Sequence, residues 1–222
     1  MMGRAFWRGG LPFLLAIVGF AAMAAAGPGV APEAPPETPT SLCAKAVADV
    51  EARLGIPTKL LSAIALAESG RWDAKQRKSV SCPWTIYTEG HPHYPATKKS
   101  AIAAVRSMMS RGVKNIDVGC LQVNLYYHPK AFDSLEQAFD PQTNATYAGQ
   151  LLSRLQNTHR SWSRAIAFYH SATRKFALPY LRRVQQLWMV ERRREAEALR
   201  AARIETLRME KAARLAAQAE DG

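Results

Sequence analysis

A carboxyl group that keeps its proton near neutrality needs surroundings that disfavour charge, and one glutamate of this chain stands in such a place. Glu68 follows Ala65-Leu66-Ala67 and precedes Ser69-Gly70, so helical periodicity sets it at the C-terminal end of an apolar helix. The partial negative charge of that helix end disfavours a carboxylate, and apolar neighbours disfavour it further. Both effects raise its pKa above the reference of about 4.3, the direction a general acid requires. The plainer alternative is a glutamate that faces solvent at a helix end, which is the commoner case. The other acids nearest in sequence are Asp73, Glu89 and Asp117. Asp73 lies in a polar stretch after Gly70 and Glu89 in a proline-bounded loop. Asp117 stands just before Gly119, where bracing the turn through its own backbone is the expected role. No Cys or His cluster has metal-ligand spacing. His91 and His93 flank a proline in a loop, so no metal site is expected.

The elements that must position Glu68 read as helical. Residues 42–54 place Leu42, Ala46, Val47, Val50 and Leu54 on one face, and Gly55 ends the run. Thr58 offers an N-cap for the helix that carries Glu68, which stops at Ser69-Gly70. Between 71 and 96, Pro83, Gly90, Pro92 and Pro95 interrupt the pattern, and Trp84-Thr85-Ile86-Tyr87 is the only strand-like run. Further helices are expected from Thr97 to Met109, over 132–139, 141–157 and 162–169, and from near Pro179 into the tail. With no βαβ alternation and no internal repeat, the fold class is mainly α with a small β/loop excursion and a C-terminal helical extension.

The ends of the chain differ in composition. Residues 1–26 read as a signal peptide: Arg4 and Arg8 precede an apolar run from Leu11 to Ala26 that is short for a membrane span. Residues 27–40 are a proline-rich linker, 41–189 a single domain of ordinary size, and 190–222 a charged helical tail. The net charge of +12 suits an anionic partner, for an exported protein a cell-wall polymer rather than nucleic acid, or else serves only as solubilising surface charge. Three cysteines in an oxidising compartment allow one disulfide, with three possible pairings among Cys43, Cys82 and Cys120.

Four short motifs occur in order. Ala67-Glu68-Ser69-Gly70, Gly119-Cys120-Leu121-Gln122-Val123-Asn124, Ala167-Phe168-Tyr169-His170 and the later Tyr180 resemble the successive motifs of the soluble lytic transglycosylase family, a glycoside hydrolase family 23-like branch of the lysozyme-like superfamily. The resemblance covers residues 42–188. It implies a lysozyme-like, mainly α fold, the peptidoglycan glycan strand as substrate, no cofactor, and a periplasmic location for what is expected to be a monomer. It further implies that Glu68 protonates the glycosidic oxygen between N-acetylmuramic acid and N-acetylglucosamine. Glu68 then takes a proton from the muramic C6 hydroxyl, leaving a 1,6-anhydromuramyl end. Ser69, Gln122, Asn124, Tyr169, His170 and Tyr180 are the implied substrate-binding set, with Ser69 fixing the loop of the glutamate.

Fifty residues lie between Glu68 and Gly119, more than in simpler members. The extra segment resembles a proteobacterial subgroup that reads Trp-Pro-Trp-Thr where this chain has Cys82-Pro83-Trp84-Thr85. In that subgroup cysteines recur at the positions of Cys43 and Cys120, which implies that this pair is bridged and Cys82 is free. Trp84 joins the candidate sugar-stacking residues. Tyr87, Tyr94, Tyr126 and Tyr127 could stack as well but are taken as packing, and Trp162, Phe168 and Trp188 as core. Because no second acid belongs to the motifs, the substrate's own 2-acetamido group is expected to stabilise the reacting carbon. Two other functions compete: a muramidase that uses water, and a non-catalytic wall-binding module of a secretion or flagellar apparatus. The tail is either a solvated extension or a docking helix for an envelope-complex partner.

Overall fold

The computed structural model describes residues 38–220, so the expected signal peptide and most of the linker lie outside the described residues. The described chain is mainly helical, and none of its helices is long and apolar enough to cross a membrane. Helix α1 spans Pro39–Leu54. Thr38 caps it, accepting from Ser41 N at 3.2 Å, while the Ser41 hydroxyl accepts in return from Thr38 N. The helix therefore begins three residues before the apolar periodicity does. Gly55 ends it in the left-handed region that glycine enters at little cost.

Helix α2, Leu60–Ser69, starts differently from the sequence expectation. Thr58 is not its cap. Lys59 occupies the cap position with φ 65° and no side-chain capping bond. The cap comes instead from α1: the buried Glu51 carboxylate accepts from Lys59 N at 3.1 Å and Ser62 N at 2.9 Å. An anion at the positive end of a helix offsets part of the penalty of burying it. Burial still pushes the Glu51 carboxyl up, against the pull of those backbone donors.

After α2 come strands β1 (Gly70–Asp73) and β2 (Lys78–Ser81), an antiparallel pair. Four more strands, β3 (Ile86–Thr88), β4 (His91–His93), β5 (Ile116–Val118) and β6 (Val123–Asn124), form an antiparallel sheet in the order β4-β3-β5-β6. The β content exceeds the single run expected, because strands of two to four residues are too short to show alternation. Helices α3 (Lys98–Ser110), α4 (Leu135–Ala138), α5 (Pro141–His159) and α6 (Trp162–His170) start at side-chain caps from Thr97, Ser134, Asp140 and Ser161. Helix α7 runs from Arg174 to Glu220 and takes in Pro179 rather than starting there.

Two apolar clusters result. The larger joins α1, α2, α5, α6 and the first turns of α7 around Val47, Val50, Leu60, Leu61, Ile64, Leu152, Ile166 and Val184. The smaller packs α3 and α4 against the sheet through Ile86, Val105, Ile116, Val118 and Phe139. A fully buried side chain of this kind contributes about 1.5–3 kcal/mol. A Cys43–Cys120 disulfide links α1 to the turn between β5 and β6, and Cys82 is a buried free thiol. Helix α7 is held along α2 by Trp188 Nε1 donating to Thr58 O at 2.8 Å and by an ion pair of Lys59 with Glu195 at 3.1 Å. Residues 196–219 are exposed throughout.

Candidate active site

Glu68 is the next-to-last residue of α2, where the helix gives way to β1. The hydroxyl of Tyr180, reaching in from α7, donates to Glu68 Oε1 at 2.6 Å. Tyr180 is itself buried and lies parallel to the His170 ring of α6, with centroids 4.4 Å apart. Desolvation raises the Glu68 pKa to about 7. The Tyr180 hydrogen bond opposes that rise, the negative charge of Asp117 adds to it, and the Arg183 guanidinium opposes it. Glu68 opens onto a cavity of about 590 Å³.

Another part of the lining comes from the turn joining β5 to β6, and its shape depends on two residues in the left-handed region, Gly119 (φ 86°) and Gln122 (φ 47°). A Cβ at position 119 would collide with the side-chain amide of Asn144. That amide, buried on α5, organises the turn: Oδ1 accepts from Leu121 N at 3.0 Å, and Nδ2 donates to Val118 O and Ala138 O, each at 3.0 Å. The motif reading gave no sign of Asn144, because only tertiary packing brings α5 beneath the turn. Gln122 Nε2 donates to Thr85 O and Gly119 O, leaving Oε1 buried without a partner among the described residues.

Asn124 lines the cavity, yet its amide is fully used by the protein. Nδ2 donates to Asn115 Oδ1 at 2.6 Å and Asp117 Oδ1 at 2.7 Å, while Oδ1 accepts from Tyr126 N and Tyr127 N. It positions its neighbours rather than offering a hand to a ligand. Asp117 departs from expectation. Across the sheet Tyr87 pairs with Asp117, and Asp117 with Asn124. Directly opposed residues of adjacent strands share a face, so all three reach the cavity. Burial raises the Asp117 pKa against the Asn124 hydrogen bond. A second carboxyl group therefore lines the Glu68 cavity, where none was expected. Asp73 is not a rival, since its carboxylate serves the turn between β1 and β2 by accepting from Lys75 N and Gln76 N.

Of the remaining candidates, Tyr169 and His170 line the cavity. The Tyr169 hydroxyl donates to Leu121 O at 2.9 Å, bracing the β5–β6 turn from α6. Ser69 is buried and turned away, its hydroxyl donating to Cys120 O at 2.6 Å, so it ties the glutamate's helix to the turn without lining the cavity. Trp84 packs on the smaller apolar cluster and does not line the cavity either. Tyr87 and Tyr127, taken as packing, are exposed and line it. Phe168, taken as core, is 41% exposed and stacks on His159. Four lining residues, Asn115, His128, Leu151 and Arg183, were missed, and none belongs to a motif. His128 takes part in a 3.0 Å hydrogen bond with the Tyr147 hydroxyl through Nδ1, and burial lowers its pKa.

No protein-family model, curated protein or solved structure matches the chain. A carboxyl with a pKa near 7, held by one phenol, can give and take back a proton at neutral pH. The exposed rings of Tyr87 and Tyr127 offer apolar faces suited to sugars. Among the described residues no cluster of His, Cys, Asp and Glu could hold a metal ion.

Proposed function

We propose that the protein is an exported enzyme that cuts peptidoglycan glycan strands as a lytic transglycosylase, on a lysozyme-like fold, with Glu68 as acid and then base. The observation that carries this reading is the Glu68 carboxyl: poised near pH 7, hydrogen-bonded by Tyr180 and open to a cavity large enough for sugar rings. The order of the four motifs supports it, since three of them supply groups at this cavity and Tyr180 touches Glu68. The Cys43–Cys120 bridge suits an oxidising compartment such as the periplasm. In this reaction Glu68 protonates the leaving glycosidic oxygen as the C1–O bond breaks. The C6 hydroxyl of the same muramyl residue bonds to C1 and returns its proton to Glu68. That attack is intramolecular, with the high effective concentration of a tethered group.

A second reading, hydrolysis, is favoured by Asp117. Enzymes that use water keep a second carboxylate across the sugar from the acid, and Asp117 shares the cavity with Glu68. In the lyase reading Asp117 acts by its charge, raising the Glu68 pKa and stabilising positive charge at C1. In hydrolysis it accepts the proton of the attacking water. Mass spectrometry of muropeptides released from purified sacculi separates the two. Mainly 1,6-anhydromuramyl ends, which resist borohydride, are expected. Mainly reducible muramic ends would replace the lyase with a muramidase, and no release at all would favour a wall-binding module.

A further inference from the structure

Arg183 lies on the wall of the cavity, and the proton chemistry does not call for a cation there. Three residues after Tyr180, it falls on nearly the same face of α7, but it is exposed where Tyr180 is buried. It is the sole Lys or Arg among the described residues that line the cavity. The other cavity groups that could carry positive charge, His128 and His170, are pushed towards the neutral form by burial.

Arg183 also makes no hydrogen bond or ion pair with any described residue. Other arginines of the chain find carboxylates: Arg53 with Asp49, Arg106 with Glu136 and Arg194 with Glu191. Glu68 is near enough to feel its charge but receives its hydrogen bond from Tyr180 instead. A direct guanidinium bridge would hold Glu68 ionised and remove the proton it must donate. The guanidinium fork, whose geometry matches a carboxylate in two parallel hydrogen bonds, is thus left open at the cavity.

We propose that Arg183 binds a carboxylate carried by the sugar at the cleavage site, so that the cavity selects an acidic saccharide over a neutral one. The inference rests on the reading of the cavity as a glycan-strand site. In such a strand two groups could supply the carboxylate: the peptide stem, or the lactyl ether left free when the stem is removed. N-acetylglucosamine has neither.

Binding by full-length Glu68→Gln protein tests this, with Arg183 intact or changed to Gln or Lys. The probes are stem-bearing strands, amidase-stripped strands, and stripped strands whose lactyl carboxylates have been converted to neutral amides. With Arg183 present, carboxylate-bearing strands should bind about tenfold more tightly than amidated ones, the scale of one charge-assisted contact. Arg183→Gln should erase that ratio and Arg183→Lys restore part of it. Tighter binding of the stem-bearing strand assigns the stem carboxylates, tighter binding of the stripped strand assigns the lactyl group, and equal binding of both shows that Arg183 accepts either carboxylate. An unchanged ratio in Arg183→Gln overturns the proposal. So does a change seen only as a shifted pH–rate profile with Glu68 present, because Arg183 would then merely tune the acid. Cleavage without an Arg183-dependent ratio refutes the inference alone. A ratio without cleavage by the wild-type protein refutes the enzymatic reading alone.

Discussion

The helical and the sheet part of the cavity lining each carry one carboxyl group, and each holds it by burial and one side-chain hydrogen bond. In the helical part Glu68 lies at the end of α2, beside the larger apolar cluster, and among the described residues its hydrogen bond comes from the Tyr180 phenol. On the sheet wall Asp117 sits mid-strand in β5, beside an asparagine whose every polar atom is engaged. Burial raises both pKa values, that of Glu68 to about 7, and in each case a single side-chain hydrogen bond opposes the rise. The difference lies in the donor: a phenol from a distant helix holds Glu68, and an amide of the neighbouring strand holds Asp117.

The contrast breaks most sharply at Glu68. Glu68→Gln keeps the shape and loses the proton, so sacculus-clearing turnover should fall at least about a hundredfold, while melting stays near wild type. Clearance at the wild-type rate would remove Glu68 from the chemistry. The next largest effect concerns how the walls are joined. Exchanging Cys43 and Cys120 for serine should cost about 2–4 kcal/mol in denaturant unfolding. A loss below about 0.5 kcal/mol would mean the walls are aligned without the bridge, since surface-like changes fall within that range.

Asp117→Asn keeps an acceptor for Asn124 but removes the charge. Turnover should fall about tenfold, the equivalent of one pKa unit of electrostatic stabilisation, with anhydro ends still the main product. If reducing ends disappear from a mixed product instead, Asp117 is the base for water. The smallest effect is set by Tyr180. Its hydrogen bond lowers the Glu68 pKa, and the acid works protonated, so activity is lost as pH rises through that value. Tyr180→Phe should move the alkaline limb of kcat/KM to higher pH; a limb that stays in place or moves down would show that the phenol does not control the acid.

How much of this was legible in the residues depends on the range of the interaction. Local signals placed α1, α3, α5 and α6 within a few residues, because caps such as Thr97 and Asp140 and terminators such as Gly55 act on the adjacent turn. The position of Glu68 at a helix end and the direction of its pKa shift followed from neighbours along the chain. The start of α2 was misread because its cap, Glu51, belongs to another helix. Strands of three residues carry too little alternation to be seen alone.

Sequence alone thus determined the helical class, the helix that presents Glu68, and the motifs that bound the cavity. Only the tertiary structure decided which side chains face one another inside it. Sheet register turned Asp117 towards Glu68's cavity and used up Asn124, packing turned Ser69 and Trp84 away, and the course of α7 set Tyr180 on the acid and Arg183 on the wall. The reason is physical: propensity and capping act within a turn of chain, whereas desolvation, register and charge coupling depend on groups that meet only once the chain has folded.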